Sequence, residues 1–389
     1  MGYKKECFAI FAGGGVRGTA YVGALKALNK LGISLTGYAC SSVGAIIASL
    51  LAVGYTPEEL HELLINVKYQ NFHDLHIPMG KDYGIFKGDE VYYWLKENIE
   101  KKFYAKEEIC KTQPVTFRDL GKNLIVIATD ISNATFKEYS KEKTPDVEIA
   151  HAVRVSSTIP FFFKPVWEKD ICLVDGDYIN NFPLWKETSE VIAQTSSQII
   201  EFRLEGGEKP KKINSLMDYF SATLEMSYDV ATGLLEEKYG KNDQFDVIRI
   251  NTGNTRIIEF NLSNKEKEIL MNKGYDAVRR YFGHTHQKKR RKINEIYDEI
   301  IYHLKGMRKL VVRKGAKEII ASLSELRIYF AENKDYIRKG IYNHFLQLQD
   351  SFLDSYVKVK FVGLNIMLDR NSLLKQIDAL IEEIEDYIV

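Results

Sequence analysis

Cysteine is scarce in this 389-residue chain, and its four copies, Cys7, Cys40, Cys110 and Cys172, lie far apart with no Cys-x-x-Cys pair. That excludes a disulfide framework and a thiolate zinc site, and it points to a reducing, cytoplasmic compartment. Excess charge of either sign is missing too: 54 Lys and Arg stand against 53 Asp and Glu. Such a balance argues against a dedicated nucleic-acid binder. A continuous apolar span is also absent. Residues 31–57 carry no charge, but Gly32, Ser34, Thr36, Gly37, Ser41, Ser42 and Gly44 interrupt the first half. Only Ala45–Val53 is strongly apolar, short of the roughly 20 residues a membrane helix needs. A strand, a turn and a buried helix are expected there instead. At the start, the apolar run in MGYKKECFAIFAGGG is too short for a secretory signal, and Glu6 stands where myristoylation wants Ser or Thr. A mature, cytosolic N-terminus is the expectation.

What the chain does contain is an alternation of strand and helix signals. CFAIFAGGG reads as a buried strand entering a glycine loop, and GTAYVGALKALNKLG as the helix after it, stopped by Gly32. TGYACS is a second short strand, and VGAIIASLLAVG a second helix. Thr56 and Pro57 open a third, with Glu58 and Glu59 suited to its N-terminus. NLIVIATDI, ICLVDGD, QIIEFRL and FDVIRINTG are later strands. This pattern predicts a three-layer α/β sandwich with a mainly parallel central sheet. From about His284 strands give way to amphipathic helices: Ile293, Ile296, Tyr297, Ile300, Ile301 and Leu304 share one face. The expected organisation is an α/β domain over 1–283 and a helical C-terminal domain over 284–389.

Three stretches carry chemistry. GGGVRG, Gly13–Gly18, fits a dinucleotide fingerprint, but that fold needs an acidic residue about 20 positions on for the ribose. None occurs between Glu6 and Glu58, and no Gly-Lys-Ser/Thr follows for a P-loop. A glycine loop at a helix start still presents backbone N–H groups to a negative charge, which can be a developing oxyanion. Arg17 would add positive potential. In the serine pair, Ser42 is better placed than Ser41 for a nucleophile elbow, because Gly44 follows two positions on and Cys40, small though not glycine, precedes by two. For Ser41 the matching position is the β-branched Val43. Further on, LVDGD sets Asp175 at the end of an apolar strand, where a carboxylate would project at the edge of a parallel sheet. A β-turn aspartate is the alternative reading of that residue.

Together these stretches resemble the patatin-like phospholipase family, over about residues 5–283. GGGVRG matches the family's oxyanion loop, with Gly13, Gly14, Gly15, Val16, Arg17 and Gly18 in it. CSSVGAIIASLLAVGYTPEEL matches the elbow, with Cys40 and Gly44 around Ser42, and GIFKGDEVYYWL, TFRDL and IATDISN follow in the family's order. AVRVSSTIPFFFKPV precedes DGDYINNFP, in which Asp175 matches the family's catalytic aspartate. The resemblance implies a Ser42–Asp175 dyad that cleaves fatty-acyl esters of phospholipids or lysophospholipids, with no metal and no cofactor. Oxyanion donors would be the N–H groups of Gly14, Gly15 and Val16. A carboxylesterase or thioesterase acting on soluble acyl groups is the same-fold alternative, and a non-catalytic interaction protein the alternative of another class. Two residues depart from the pattern: Cys40 replaces a glycine, and Asp177 replaces a small residue. Asp177 would either raise the pKa of Asp175 by repulsion or point into solvent. A histidine triad would need His151, His284 or His286, none of which the resemblance uses.

Two further expectations concern lipid. Phe161–Phe163 and Tyr83–Phe86 are plausible walls of an acyl pocket. Residues 288–317 hold eleven Lys and Arg against three acids, whereas the last eight residues carry four acids. The basic face could draw the chain peripherally onto anionic membranes, or be an ordinary solvated helix face.

Overall fold

The computed structural model describes residues 6–107, 113–178, 198–206, 245–313, 316–361 and 370–388, with positions 213, 214, 219, 222, 223 and 226. The chain divides into two compact units, Gly2–Tyr281 and Phe282–Val389. The first is built on one eight-stranded sheet, in the spatial order β5 (Val166–Glu168), β6 (Ile171–Val174), β3 (Asn123–Asp130), β2 (Ser34–Cys40), β1 (Glu6–Phe11), β7 (Gln198–Glu205) and β8 (Phe245–Asn251), with β4 (Thr135–Tyr139) paired to β3. Its centre is parallel: β1 (Glu6–Phe11) lies between β2 (Ser34–Cys40) and β7 (Gln198–Glu205). β3 (Asn123–Asp130) and β8 (Phe245–Asn251) extend the parallel set on either side. These central strands are buried almost throughout, which is why they read as continuous apolar runs. Phe11 stacks on Phe202 of β7 at 5.1 Å, and Ile10, Ala39, Ile125 and Ile199 join across the sheet.

Three strands on the β3 side run antiparallel: β4 (Thr135–Tyr139), β5 (Val166–Glu168) and β6 (Ile171–Val174). The sequence pattern did not distinguish β4 and β5, which are short and only half-buried along much of their length. Asp175 follows the apolar strand β6, as expected, and β6 runs antiparallel to β3.

Helices flank the sheet. The uncharged stretch 31–57 resolves into β2, a turn, α2 (Ser42–Ala52) and the start of α3 (Pro57–Asn66), where Thr56 and Glu59 form a reciprocal capping box. α2 packs on α4 (Asp89–Glu107) and α5 (Ile149–Ser156), whereas α1 (Ala20–Lys30) packs on α3. Among the described residues, no helix is long and apolar enough to cross a membrane.

The second unit is helical: the end of α6 (Asn264–Arg313), then α7 (Ala316–Glu332), α8 (Lys339–Phe361) and α9 (Arg370–Ile388). Ile296, Tyr297, Ile300 and Leu304, expected on one helix face, are buried in its core, and Phe330 stacks on Phe345 at 4.4 Å. Of the basic stretch 288–317, the side chains of 288–290 and 313–317 lie outside the described residues. Two of the others are paired with the acidic C-terminal helix: Arg308 with Asp378 at 2.6 Å and Lys305 with Glu385 at 2.9 Å. That face is therefore partly neutralised from within its own unit.

Candidate active site

β2 ends at Cys40, Ser41 caps α2 in an extended conformation, and Ser42 is the first helical residue. Ser42 holds a φ of 50°, the left-handed region that costs a residue with a Cβ about 1–3 kcal/mol. The turn brings α2 so close to β1 that a Cβ on Gly44 would lie 2.2 Å from the Phe11 carbonyl oxygen, so a side chain there cannot fit. Cys40 does not disturb this turn. Its side chain is buried and its Sγ lies 3.2 Å from the Ile125 carbonyl oxygen.

Ser42 Oγ donates to Asp175 Oδ2 at 2.6 Å, and both side chains are buried. The two residues are 133 positions apart in sequence and meet because β6 runs back alongside β3. Asp175 N–H donates to Thr158 O at 2.8 Å and Gly176 N–H to Ser156 O at 3.0 Å, which ties the Asp175 loop to the end of α5.

Residues near the end of α5 hold the serine turn as well. Ser42 N–H donates to Ser156 Oγ at 3.0 Å, Ser156 Oγ donates to Ile127 O at 2.5 Å, and Ser157 Oγ donates to Ser42 O at 3.1 Å. Reading the residues gave these serines no individual role. The available signal was two hydroxyls in succession, followed by Thr-Ile-Pro, at the end of an otherwise apolar helix.

Asp177 does not point into solvent. It is buried; its carboxylate accepts from Ser41 Oγ and from the Gly13 N–H, and its own N–H donates to Asp175 Oδ1 at 3.0 Å. Its burial corrects one of the two sequence expectations for this residue and favours the other. Burial, followed by the charge of Asp177, holds the Asp175 carboxyl well above the usual carboxylate range, against the hydrogen bond from Ser42. Asp177 itself is pushed up to about 6 by burial, which outweighs its hydrogen bonds from Ser41 and Gly13.

The glycine loop lies against the same site. A Cβ on Gly13 would meet both Asp177 and Ser42. Val16 N–H donates to Ile257 O at 3.0 Å, so this amide is already satisfied and leaves the expected set of oxyanion donors. Arg17 is buried, with Nε donating to Thr255 O at 2.5 Å, and Gly18 packs against Val43 of α2. Among the described residues, the amides of Gly14 and Gly15 have no acceptor.

Among the described residues, no histidine enters this geometry. His151 lines a separate cleft of about 540 Å³ with His76, Arg154 and Trp167, and its Nε2 lies 3.5 Å from Glu168. The side chains of His284 and His286 lie outside the described residues. The two expected pocket walls do meet: Ile85 N–H donates to Phe161 O at 3.1 Å, and Phe86 packs on Phe162 at 4.7 Å.

The parallel α/β sheet and the buried Ser42–Asp175 pair at its rim define a protein that presents a serine on a strand-to-helix turn. Residues 9–186 match the model of the patatin-like phospholipase family. The chain is 29% identical over 289 residues to protein YqhO of Bacillus subtilis (strain 168), an alignment covering 68% of this chain and 94% of that one. It is 31% identical over 183 residues to a protein of Invertebrate iridescent virus 6 named "Probable lipid hydrolase 463L", covering 45% of this chain and 61% of that one. The crystal structure of VipD from Legionella pneumophila is similar with a TM-score of 0.44 at 16% identity, covering 97% of this chain and 91% of that one. The family match over residues 9–186 supports lipid hydrolysis as the activity.

Proposed function

We propose that this chain is a serine hydrolase of phospholipase A or lysophospholipase type, with Ser42 as nucleophile and Asp175 as its base. The observation that carries the reading is the 2.6 Å hydrogen bond from Ser42 Oγ to Asp175 Oδ2. Asp175 accepts the Ser42 proton as Oγ attacks the acyl carbonyl carbon of the lipid ester. The carbonyl oxygen becomes an oxyanion, and the Gly14 and Gly15 amides are the donors free to receive it. Collapse of this intermediate expels the lysolipid or glycerol alkoxide, which takes the proton back from Asp175. Water then attacks the acyl-serine, again giving its proton to Asp175, and the fatty acid leaves with Ser42 restored. The environment of Asp175 suits a general base, because a carboxylate whose pKa is raised by burial and by Asp177 accepts a proton more readily than an exposed one. The strained φ of Ser42 fits the same role, since it turns Oγ out of the helix toward Asp175.

The test is fatty-acid release from mixed phospholipid and lysophospholipid substrates. Ser42→Ala and Asp175→Asn should each lower kcat by about 10⁴-fold, with the fold intact by circular dichroism. A folded Ser42→Ala protein that retains wild-type turnover would refute the assignment. Comparing micellar with monomeric esters separates a lipase from a soluble-substrate esterase or thioesterase.

A further inference from the structure

Residues 75–86 form a hairpin that the proposed chemistry does not use. Leu75 pairs with Phe86, His76 N–H donates to Ile85 O at 3.1 Å, and Asp82 N–H donates to Met79 O at 3.1 Å to close the tip around Gly80. Its base is fixed. Phe86 lies between His73 and Phe162, and Asp74 accepts from the N–H groups of Gly88, Asp89 and Glu90 at the start of α4. The hairpin is apolar and open to solvent: Leu75 is 72% exposed, Ile77 83%, Met79 76% and Tyr83 56%. Phe161 lies beside it, through its carbonyl's bond to Ile85, with its side chain 63% exposed and a left-handed φ of 63°. Large side chains clustered in water on a rigid support mark an interaction surface.

We propose that the 75–86 hairpin is the surface by which this chain docks onto a lipid membrane. The proposal rests on the reading of Ser42 and Asp175 as a lipid hydrolase site and deepens it by naming the state of the substrate: lipid in a bilayer. Charge favours this occupant over a protein partner or a second copy of the chain. The two acids at the hairpin are engaged within the protein, Asp74 by the α4 amides and Asp82 by Lys164 at 2.8 Å. Its lysines face outward. Lys81 lies over the Trp167 ring at the tip, and Lys87 is exposed at the base without an ion-pair partner among the described residues. A small apolar wedge whose tip carries exposed Lys81 and an Asp82 neutralised by Lys164, with the exposed Asp89 and Glu90 lying at its base, matches the boundary between anionic headgroups and acyl chains. The wedge is also tied to the site, because Phe161 lies three residues beyond Thr158, whose carbonyl accepts the Asp175 N–H. Docking there would set the Asp175 loop at the lipid surface.

The experiment is co-sedimentation of the full chain with phosphatidylcholine vesicles containing about one-third phosphatidylserine. It is run alongside hydrolysis of the same vesicles and of a short-chain monomeric ester. The double variant Ile77→Asp/Met79→Asp should lose vesicle binding by at least about tenfold, and vesicle hydrolysis with it, while monomeric ester turnover stays at the wild-type rate. Lys81→Glu/Lys87→Glu should weaken binding to the anionic vesicles more than to pure phosphatidylcholine. Vesicle binding unchanged in Ile77→Asp/Met79→Asp would overturn the proposal. So would a wild-type chain that ignores vesicles but self-associates through this hairpin. Ser42→Ala should bind vesicles like the wild type, so a failure of the catalytic reading is seen separately from a failure of docking.

Discussion

Asp177 stands two residues after Asp175, where most carboxylates would turn outward, and instead spends its lone pairs on Ser41 and Gly13. Its charge is thereby held beside Asp175 with little water to screen it, and like charges at close range make the ionised form of each costlier. The titratable groups around it are Asp175 on its own loop, Tyr21 of α1 and Cys40 of β2. Tyr21 and Cys40 are both pushed up, first by burial and then by Asp177, with Glu201 of β7 also acting on Tyr21. Both stay neutral at the pH of interest, which leaves the two aspartates as the pair that titrates. Asp177→Asn removes the repelling charge, so Asp175 should lose its proton at lower pH. The acid limb of kcat/KM should then move down by about one pH unit, with a lower plateau because the base is weaker. A folded variant whose profile overlays the wild type would show that Asp177 has no electrostatic hold on the site.

The same residues show what a sequence can and cannot disclose. The sharp turn at Ser42 was legible because such a turn tolerates only small residues at defined offsets, and Gly44 satisfies the strictest of them. Asp177 was not, since a second carboxylate in a turn looks the same in sequence whether buried or solvated. Only the hydrogen bond from Ser41 and the glycine amide decide it. The limits recur among the elements. The parallel strands announce themselves as apolar runs, whereas β4 and β5 are short, half-buried edge pieces without such a signature. The pairing of α6 with α9 was equally invisible, because charges distant in sequence carry no register. α3 is the opposite case, with its start written locally: Thr56 Oγ1 accepts from Glu59 N–H at 3.2 Å, and Glu59 Oε2 accepts from Thr56 N–H at 2.8 Å. Thr56→Ala should therefore cost about 1 kcal/mol and lower Tm by about 2–4 °C, whereas Thr56→Ser should restore it. An unchanged Tm in Thr56→Ala would mean that packing on α1 alone holds this helix.

For the whole molecule, the buried aspartates set how stability responds to pH. A carboxyl whose pKa is higher in the folded than in the unfolded state binds its proton more tightly when folded. The stability it contributes is present in full below the ordinary carboxyl range and is lost as pH rises through the folded value. For Asp177 that window runs from about 4 to about 6, and Asp175 is raised in the same sense. Glu59, lowered by Lys102 and by the Thr56 backbone, acts in the opposite sense and loses its contribution only as pH falls below the usual range. At pH 7.5, above that window, the ionised Asp177 carboxylate is a destabilising charge in the buried site. Asp177→Asn, which mimics the protonated carboxyl, should melt above the wild type at pH 7.5 by about 2–4 °C or more. That gap should close as pH falls through 6 toward 4, where Asp177 in the wild type is itself protonated. Thermal melts of both proteins across this range read the difference directly and cancel the contribution of every other carboxylate. A gap that stays constant with pH would place the cost of Asp177 in its packing and not in its charge.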